Sequence, residues 1–153
     1  MDPRTSVLID LLERFRDAEY IGEPVSQLEH ALQAAEFARA AGAPENEILA
    51  SLLHDLGHLC APVAAARMDA LGVLHHEDIG ADRLADLGFL PDVTDLVRSH
   101  VAAKRYLVAT RPAYLARLSP ASLGTLRHQG GPMTDAERAA FDADPLRDAK
   151  LRA

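Results

Sequence analysis

The sequence has no tryptophan and a single cysteine, Cys60, among 153 residues. A lone thiol cannot form an internal disulfide, which fits a reducing compartment. Beside an apolar stretch, Cys60 reads as a small buried residue rather than a nucleophile. Long apolar runs are missing as well. No stretch approaches the roughly 20 residues needed to span a bilayer. The first twenty residues carry Asp2, Asp10, Glu13 and Asp17 in place of a signal peptide's apolar centre. A cytoplasmic protein without membrane association is therefore expected. Positive charge is scarce too: 16 Lys and Arg against 23 Asp and Glu leave a net charge of -7. Nucleic-acid binding needs a basic surface, so no such partner is expected. A small anion remains compatible if a few cations are placed locally. Strand-type alternation, repeats and low-complexity linkers are also absent. The length and the 48% hydrophobic content fit one domain, 1–153, with a sizeable core.

What is present is helical periodicity. Residues 4–17 place Val7, Leu8, Leu11, Leu12 and Phe15 at helical spacing, with charges between them. Tyr20-Ile21-Gly22-Glu23-Pro24 reads as a loop, after which Ser26 opens a second helix and Glu29 completes a capping box. That helix is expected to run to Gly42. A third starts at Pro44, carries Ile48, Leu49, Leu52 and Leu53, and should end near Gly57. A fourth covers about 76–87 before Gly88, and Pro91 opens a fifth whose apolar face is Val93, Leu96, Val97 and Val101. Shorter helices are expected at about 104–109, 112–117 and 120–128. A last one begins at Thr134, again with a capping-box glutamate, Glu137. The expected fold class is all-α, a compact helical bundle.

Histidine carries the chemistry. Among the seven, His30, His54, His76 and His100 fall on separate helices, with Asp55 directly after His54. His30 shares the line Ala34, Phe37, Ala41, which is expected to face the interior. His100 follows Leu96 by four residues, and His54 lies between Ala50 and His58 on one stripe of the third helix. A single histidine on an apolar face is ordinarily a hydrogen-bonded core residue. Four of them each need a polar partner, and a metal centre between facing helices satisfies them together. Asp55 sharpens this reading. Adjacent helical residues point about 100° apart, so Asp55 would approach a metal shared with His54 laterally. Its second oxygen is then free for another ion, at the usual two-metal spacing of about 3.5–4 Å. Within Leu52-Leu53-His54-Asp55-Leu56-Gly57-His58, an uncompensated aspartate would be costly.

The order His…His-Asp…His…His on successive helices resembles the HD-domain superfamily, over nearly the whole chain. Most members of that superfamily are phosphohydrolases acting on nucleotides or phosphodiesters with divalent metals. A smaller branch comprises mixed-valent di-iron oxygenases, including myo-inositol oxygenase and the HD-domain phosphonate oxygenases. Local features are similar to the phosphonate branch. Tyr20 and Glu23 precede His30 at the spacing of that group's gating pair, and His58 stands where many hydrolases and myo-inositol oxygenase carry a lysine. Lys104 lies one turn after His100. Leu118-Ser119-Pro120-Ala121-Ser122, then Thr125, then Gln129-Gly130-Gly131-Pro132-Met133, resembles the branch's late substrate-binding segment.

The resemblance implies roles. His30, His54 and Asp55 would hold a first iron, and Asp55, His76 and His100 a second; His76 is preferred to His75 because it directly precedes Glu77. Tyr20 and Glu23 would act as the catalytic gate, while His58, Lys104, Ser122 and Thr125 would bind phosphonate oxygens. The implied cofactor is two iron ions in the mixed-valent Fe(II)/Fe(III) state, with a small phosphonate and O2 as partners. The implied activity is oxidative cleavage of the carbon–phosphorus bond of a 1-hydroxy-2-(amino or trimethylammonio)ethylphosphonate to phosphate and a carboxylate. Glu23 or Asp17 would meet the cationic end. One feature departs from the pattern. The family carries a final aspartate ligand on its last helix, beyond a segment like Asp148-Ala149-Lys150-Leu151-Arg152-Ala153. Asp142, Asp144 and Asp148 lie nearby without the expected context, so the intact protein is expected to continue to that ligand. Two other readings stay open: a metal-dependent phosphohydrolase using Mn or Mg at the same ligands, and a non-catalytic metal- or phosphonate-binding domain.

Overall fold

The computed structural model describes residues 1–20 and 23–153; Ile21 and Gly22 of the expected loop lie outside the described residues. Among the described residues there are ten α-helices. They are α1 (Pro3–Arg16), α2 (Gln27–Ala40), α3 (Glu45–Leu53), α4 (Gly57–Cys60) and α5 (His76–Asp86). α6 (Pro91–Thr110), α7 (Pro112–Arg117), α8 (Pro120–His128), α9 (Asp135–Asp142) and α10 (Arg147–Arg152) follow. Their β geometry is limited to two isolated bridges, Glu19 with Ser26 and Arg67 with Val73. No described helix is long and apolar enough to cross a membrane.

Local chemistry sets the helix starts. Asp2 accepts from the Arg4 N–H at 2.9 Å, and Ser26 Oγ accepts from the Glu29 N–H at 3.1 Å, each satisfying a donor that the first turn leaves free. At Thr134 and Glu137 both halves of the capping box form. Pro91, Pro112 and Pro120 each sit in a first turn, where the missing N–H costs nothing.

Three expectations are corrected. α6 is one 20-residue helix rather than a helix followed by a separate one at 104–109. Nothing from Val101 to Thr110 interrupts its hydrogen bonding, and Tyr106 and Val108 anchor its second half by burial. α3 instead stops at Leu53; His54, Asp55 and Leu56 form a turn, and α4 begins at Gly57. The line Ala34, Phe37, Ala41 does not enter the core, for α2 buries Gln27, Ala31 and Ala38, and Phe37 is 75% exposed. That line forms part of a cavity wall.

The core joins Leu11 and Phe15 of α1, Ala50 and Leu53 of α3, Leu56, Ala81 and Leu84, and Val93, Leu96 and Val97 of α6. Cys60 packs partly buried at its edge. A satellite cluster of Ala103, Tyr106 and Phe141 ties α9 to α6, and Arg152 of α10 donates to the buried Glu47 of α3 at 2.8 and 3.0 Å. The approach that matters most for the site is that of α4 to α5. A Cβ on Gly57 would lie 1.8 Å from the His76 carbonyl oxygen, so only a glycine admits this crossing. It presses the 54–58 turn against the first residue of α5. Gly57→Ala should therefore force the two helices apart and cost about 2 kcal/mol or more of stability, read as a lower denaturation midpoint.

Candidate metal centre

Four imidazoles from four segments meet around one carboxylate, Asp55. His30 comes from α2, His54 and Asp55 from the turn after α3, His76 from the first position of α5, and His100 from the middle of α6. The two oxygens of Asp55 divide them. Oδ2 lies 3.1 Å from His54 Nε2 and 3.3 Å from His30 Nε2, while Oδ1 lies 3.1 Å from His76 Nε2 and 3.6 Å from His100 Nε2. His54 and Leu56 keep right-handed helical backbone angles, with tightened bonds from the Leu56 N–H to the Leu53 carbonyl at 3.0 Å and from the His58 N–H to the Asp55 carbonyl at 3.1 Å. This turn carries the His54 and Asp55 side chains to one point, 3.1 Å apart.

Backbone carbonyls decide which nitrogens carry protons. His54 Nδ1 contacts the Ser51 carbonyl at 2.6 Å, His100 Nδ1 the Val97 carbonyl at 2.7 Å, and His76 Nδ1 the Val73 carbonyl at 3.3 Å. A carbonyl only accepts, so each Nδ1 bears the hydrogen and each Nε2 presents a lone pair. The His76 and His100 lone pairs then face one another at 2.9 Å, with Asp55 Oδ1 beside them. Such a set repels itself unless a cation lies between its members. An N···N separation near 3 Å is also what two adjacent ligands span at metal–nitrogen bonds of about 2.1 Å. On the other side of Asp55, His30 and His54 bring their Nε2 atoms within 3.1 Å of each other beside Oδ2. The donor set fits metal ions on both sides of Asp55.

His58 is different. Its Nε2 lies 3.9 Å from Asp55 Oδ1, close enough to be mistaken for a ligand. Its Nδ1, however, accepts the Val73 N–H at 3.2 Å, so the neutral ring carries its proton on Nε2 and offers a donor instead of a lone pair. Burial lowers its pKa to about 4, which keeps the ring neutral near pH 7.

The buried carboxylate governs the charge. Burial works against ionisation of Asp55, yet His54, His30 and His76 outweigh it and hold the carboxyl well below the usual carboxylate range. Burial likewise opposes charge on His54, but Asp55 carries its pKa above the ordinary histidine value. Burial, together with His76 and His54, keeps His100 well below it. Tyr20 stacks on His30 with centroids 3.9 Å apart; burial, then the charges of Asp55 and Glu23, push its phenol pKa up.

The cluster opens into a cavity of about 620 Å³. Lys104 lies one turn beyond His100 in its wall and donates to Thr125 Oγ1 at 2.8 Å and Gln129 Oε1 at 3.0 Å, both on or just after α8. Burial lowers its pKa to about 8, against the pull of Asp55. Ser122 and His58 line the same space. An ammonium, two hydroxyls and an imidazole N–H thus line one cavity, groups of the kind that hold an oxyanion.

Of the residues singled out in the sequence, Tyr20, His30, His54, Asp55, His58, His76, His100, Lys104, Ser122 and Thr125 share this cavity. Glu23 sits beside Tyr20, its N–H donating to the Tyr20 carbonyl at 3.1 Å, while Glu19, Tyr20 and Gln27 form the adjoining wall. Asp142, Asp144 and Asp148 do not approach the metal ligands. Asp142 accepts from Tyr106 Oη and Arg147, Asp144 pairs with Lys150, and Asp148 pairs with Arg147. His75 with Glu77 and Asp78 makes a second group of candidate donors, but His75 is exposed and Asp78 is held by Arg98 at 3.1 Å. Sequence reading missed Gln27, one turn before His30, and Arg67. It also missed the part that the 67–73 segment plays around His58, for which periodicity gives no signal.

Helical fold and His/Asp cluster together define a metal-binding HD-domain protein. The chain belongs to the HD domain family, whose model matches residues 27–147. It is 48% identical over 136 residues to a glycine-betaine-forming 1-hydroxy-2-(trimethylamino)ethylphosphonate dioxygenase of Leisingera caerulea, covering 88% of this chain and 68% of that protein. To a hydroxymethylphosphonate dioxygenase of Gimesia maris it is 41% identical over 144 residues, 94% of this chain and 71% of the relative. An uncharacterized protein of Acanthamoeba polyphaga mimivirus is 40% identical over 148 residues, covering 96% of this chain and 68% of the relative.

Two outcomes follow from the geometry. His54→Ala or Asp55→Ala should abolish metal binding in elemental analysis, while Lys104→Ala retains the wild-type metal content. Because Lys104 is charged only below about pH 8, phosphate affinity should be full below that value and fall as pH rises through it. In Lys104→Arg this decline should move beyond pH 10, since the guanidinium stays protonated.

Proposed function

We propose that the protein is a non-haem di-iron oxygenase that cleaves the carbon–phosphorus bond of a 1-hydroxy-2-(amino or trimethylammonio)ethylphosphonate, using O2 and giving phosphate and a carboxylate. The observation that carries this reading is the sharing of one cavity by a carboxylate-bridged pair of imidazole sites and the Lys104–Thr125–Gln129 group. The activities named for the Leisingera and Gimesia relatives support it. His30, His54 and Asp55 would hold one iron and Asp55, His76 and His100 the other, in the mixed-valent Fe(II)/Fe(III) state. Bound there, iron would supply the redox chemistry with dioxygen that a protein side chain lacks. The overall change balances without a further reductant: one hydroxyphosphonate and one O2 give one carboxylic acid and one phosphate.

The chain's own residues do the positioning. Lys104, Ser122, Thr125 and His58 Nε2–H hold the phosphonate oxygens, which sets the hydroxyl-bearing carbon over the cluster. This local cationic end overcomes the repulsion that a net charge of -7 would exert on a dianion. Tyr20, with its proton retained on Oη, covers the cluster from the His30 side and withdraws as substrate enters, with Glu23 beside it. Ala34, Phe37 and Ala41 form part of the cavity wall.

Iron-loaded, anaerobically prepared protein should contain two irons per chain and release phosphate from 2-amino-1-hydroxyethylphosphonate or its trimethylammonium analogue only when O2 is admitted, with equal uptake of O2. Lys104→Ala should raise KM by about 10–100-fold, the loss of one charge-assisted hydrogen bond to an anion. Metal without O2 uptake, together with turnover of phosphate esters by the Mn or Mg form, would replace this reading with a phosphohydrolase.

A further inference from the structure

We propose that Gly72 and Val73 are positioning residues that fix His58 as an Nε2–H donor toward the bound anion, in the opposite proton arrangement to the histidines around Asp55. The inference deepens the anion-binding role given to His58 above and rests on it. Three observations support it. The Val73 N–H is a donor in every protonation state, and it points at His58 Nδ1 from 3.2 Å, so that nitrogen must keep its lone pair. The proton of the neutral ring is left on Nε2, the atom that faces the cavity and Asp55 Oδ1.

Gly72 leaves room for the ring at that same Nδ1 edge. Its φ is +109°, a conformation that L side chains rarely adopt, and a Cβ there would lie 2.8 Å from His58 Cε1 and 3.1 Å from Nδ1. The ring cannot retreat, because it already stacks on His76 with centroids 4.0 Å apart and an interplanar angle of 18°. Finally, the segment that carries both residues is closed on itself. The Met68 N–H donates to the Gly72 carbonyl at 2.8 Å, Arg67 and Val73 form a bridge, and Met68 is buried at 1% exposure. A backbone donor held this way cannot turn to suit a different tautomer. His58 Nε2 is therefore prevented from serving as a further metal ligand and is kept as a donor for an anion oxygen.

The test uses the full chain, selectively 15N-labelled at histidine and loaded with diamagnetic zinc, with inorganic phosphate as the probe. Long-range 1H–15N spectra of wild type should show His58 protonated at Nε2 with a bare Nδ1, whereas a proton on Nδ1 would overturn the proposal. This measurement stands even if the variants below fold poorly. Gly72→Ala should keep the zinc stoichiometry and weaken phosphate binding by about tenfold, the loss of one hydrogen bond to a charged partner. His58→Phe should weaken it by a similar factor. In the double variant the two losses should not add, since Gly72 acts through His58. Additive losses would assign Gly72 a general structural role and overturn the proposal, as would unchanged phosphate affinity in Gly72→Ala. None of these readouts depends on O2, so failure of the oxygenase reading would show as absent O2 uptake with the His58 tautomer intact.

Discussion

A carboxylate taken out of water costs several kcal/mol unless it is paired, and Asp55 is buried at the centre of the molecule. Much of the surrounding structure can be read as the solution to that cost. Four imidazoles are spent on its two oxygens, two on each. To bring them there, the tight turn at residues 54–56 carries His54 and Asp55 to the same point. α5 begins at His76 itself, and α4 meets α5 at a glycine where no side chain would fit. The core leucines at 53, 56 and 84 lie fully buried just behind this junction and leave little freedom for it to relax.

Histidine is used in two opposite ways within a few ångströms. For His54, His76 and His100 a carbonyl three residues earlier in the chain accepts a hydrogen bond from Nδ1–H, a contact that the local backbone supplies by itself. For His58 an amide fifteen residues later donates a hydrogen bond to Nδ1 instead. One residue type thus presents lone pairs at some positions and an N–H at another. The difference is made by backbone groups that no side chain substitution at the histidines would alter. The outer partners determine what the inner residues can do.

The anion end of the cavity is built on the same economy. In an acidic chain a general positive field is not available, so the cation has to be a single ammonium with fixed partners. Lys104 is placed by the helix that carries His100, one turn further on, and its hydrogen bonds to Thr125 and Gln129 join α6 to the α8 region. α6 needs its full 20 residues for this, since its first half buries the core face and its second half carries the cation and the Tyr106 anchor to α9.

The all-helical fold and most helix starts were legible in the sequence, because caps, prolines and a 3.6-residue period are written within a few neighbouring positions. The His54-Asp55 pair and its spacing from His30, His76 and His100 carried the resemblance to the HD domain family. Periodicity alone misled at α2, where the line through Ala34, Phe37 and Ala41 borders a cavity rather than the core; an apolar stripe looks the same in both settings. It misled again at α3 and α6, since a helix is ended or prolonged by what it packs against as much as by its own residues. Proton placement on His54, His58, His76 and His100 was beyond any reading of residue types, as it depends on which carbonyl or amide the fold brings to each Nδ1. The sequence by itself determined which donors the protein owns. Only the tertiary structure decided which of them gather on Asp55 and which nitrogen of His58 keeps its lone pair, because both depend on groups that the fold brings from distant parts of the chain.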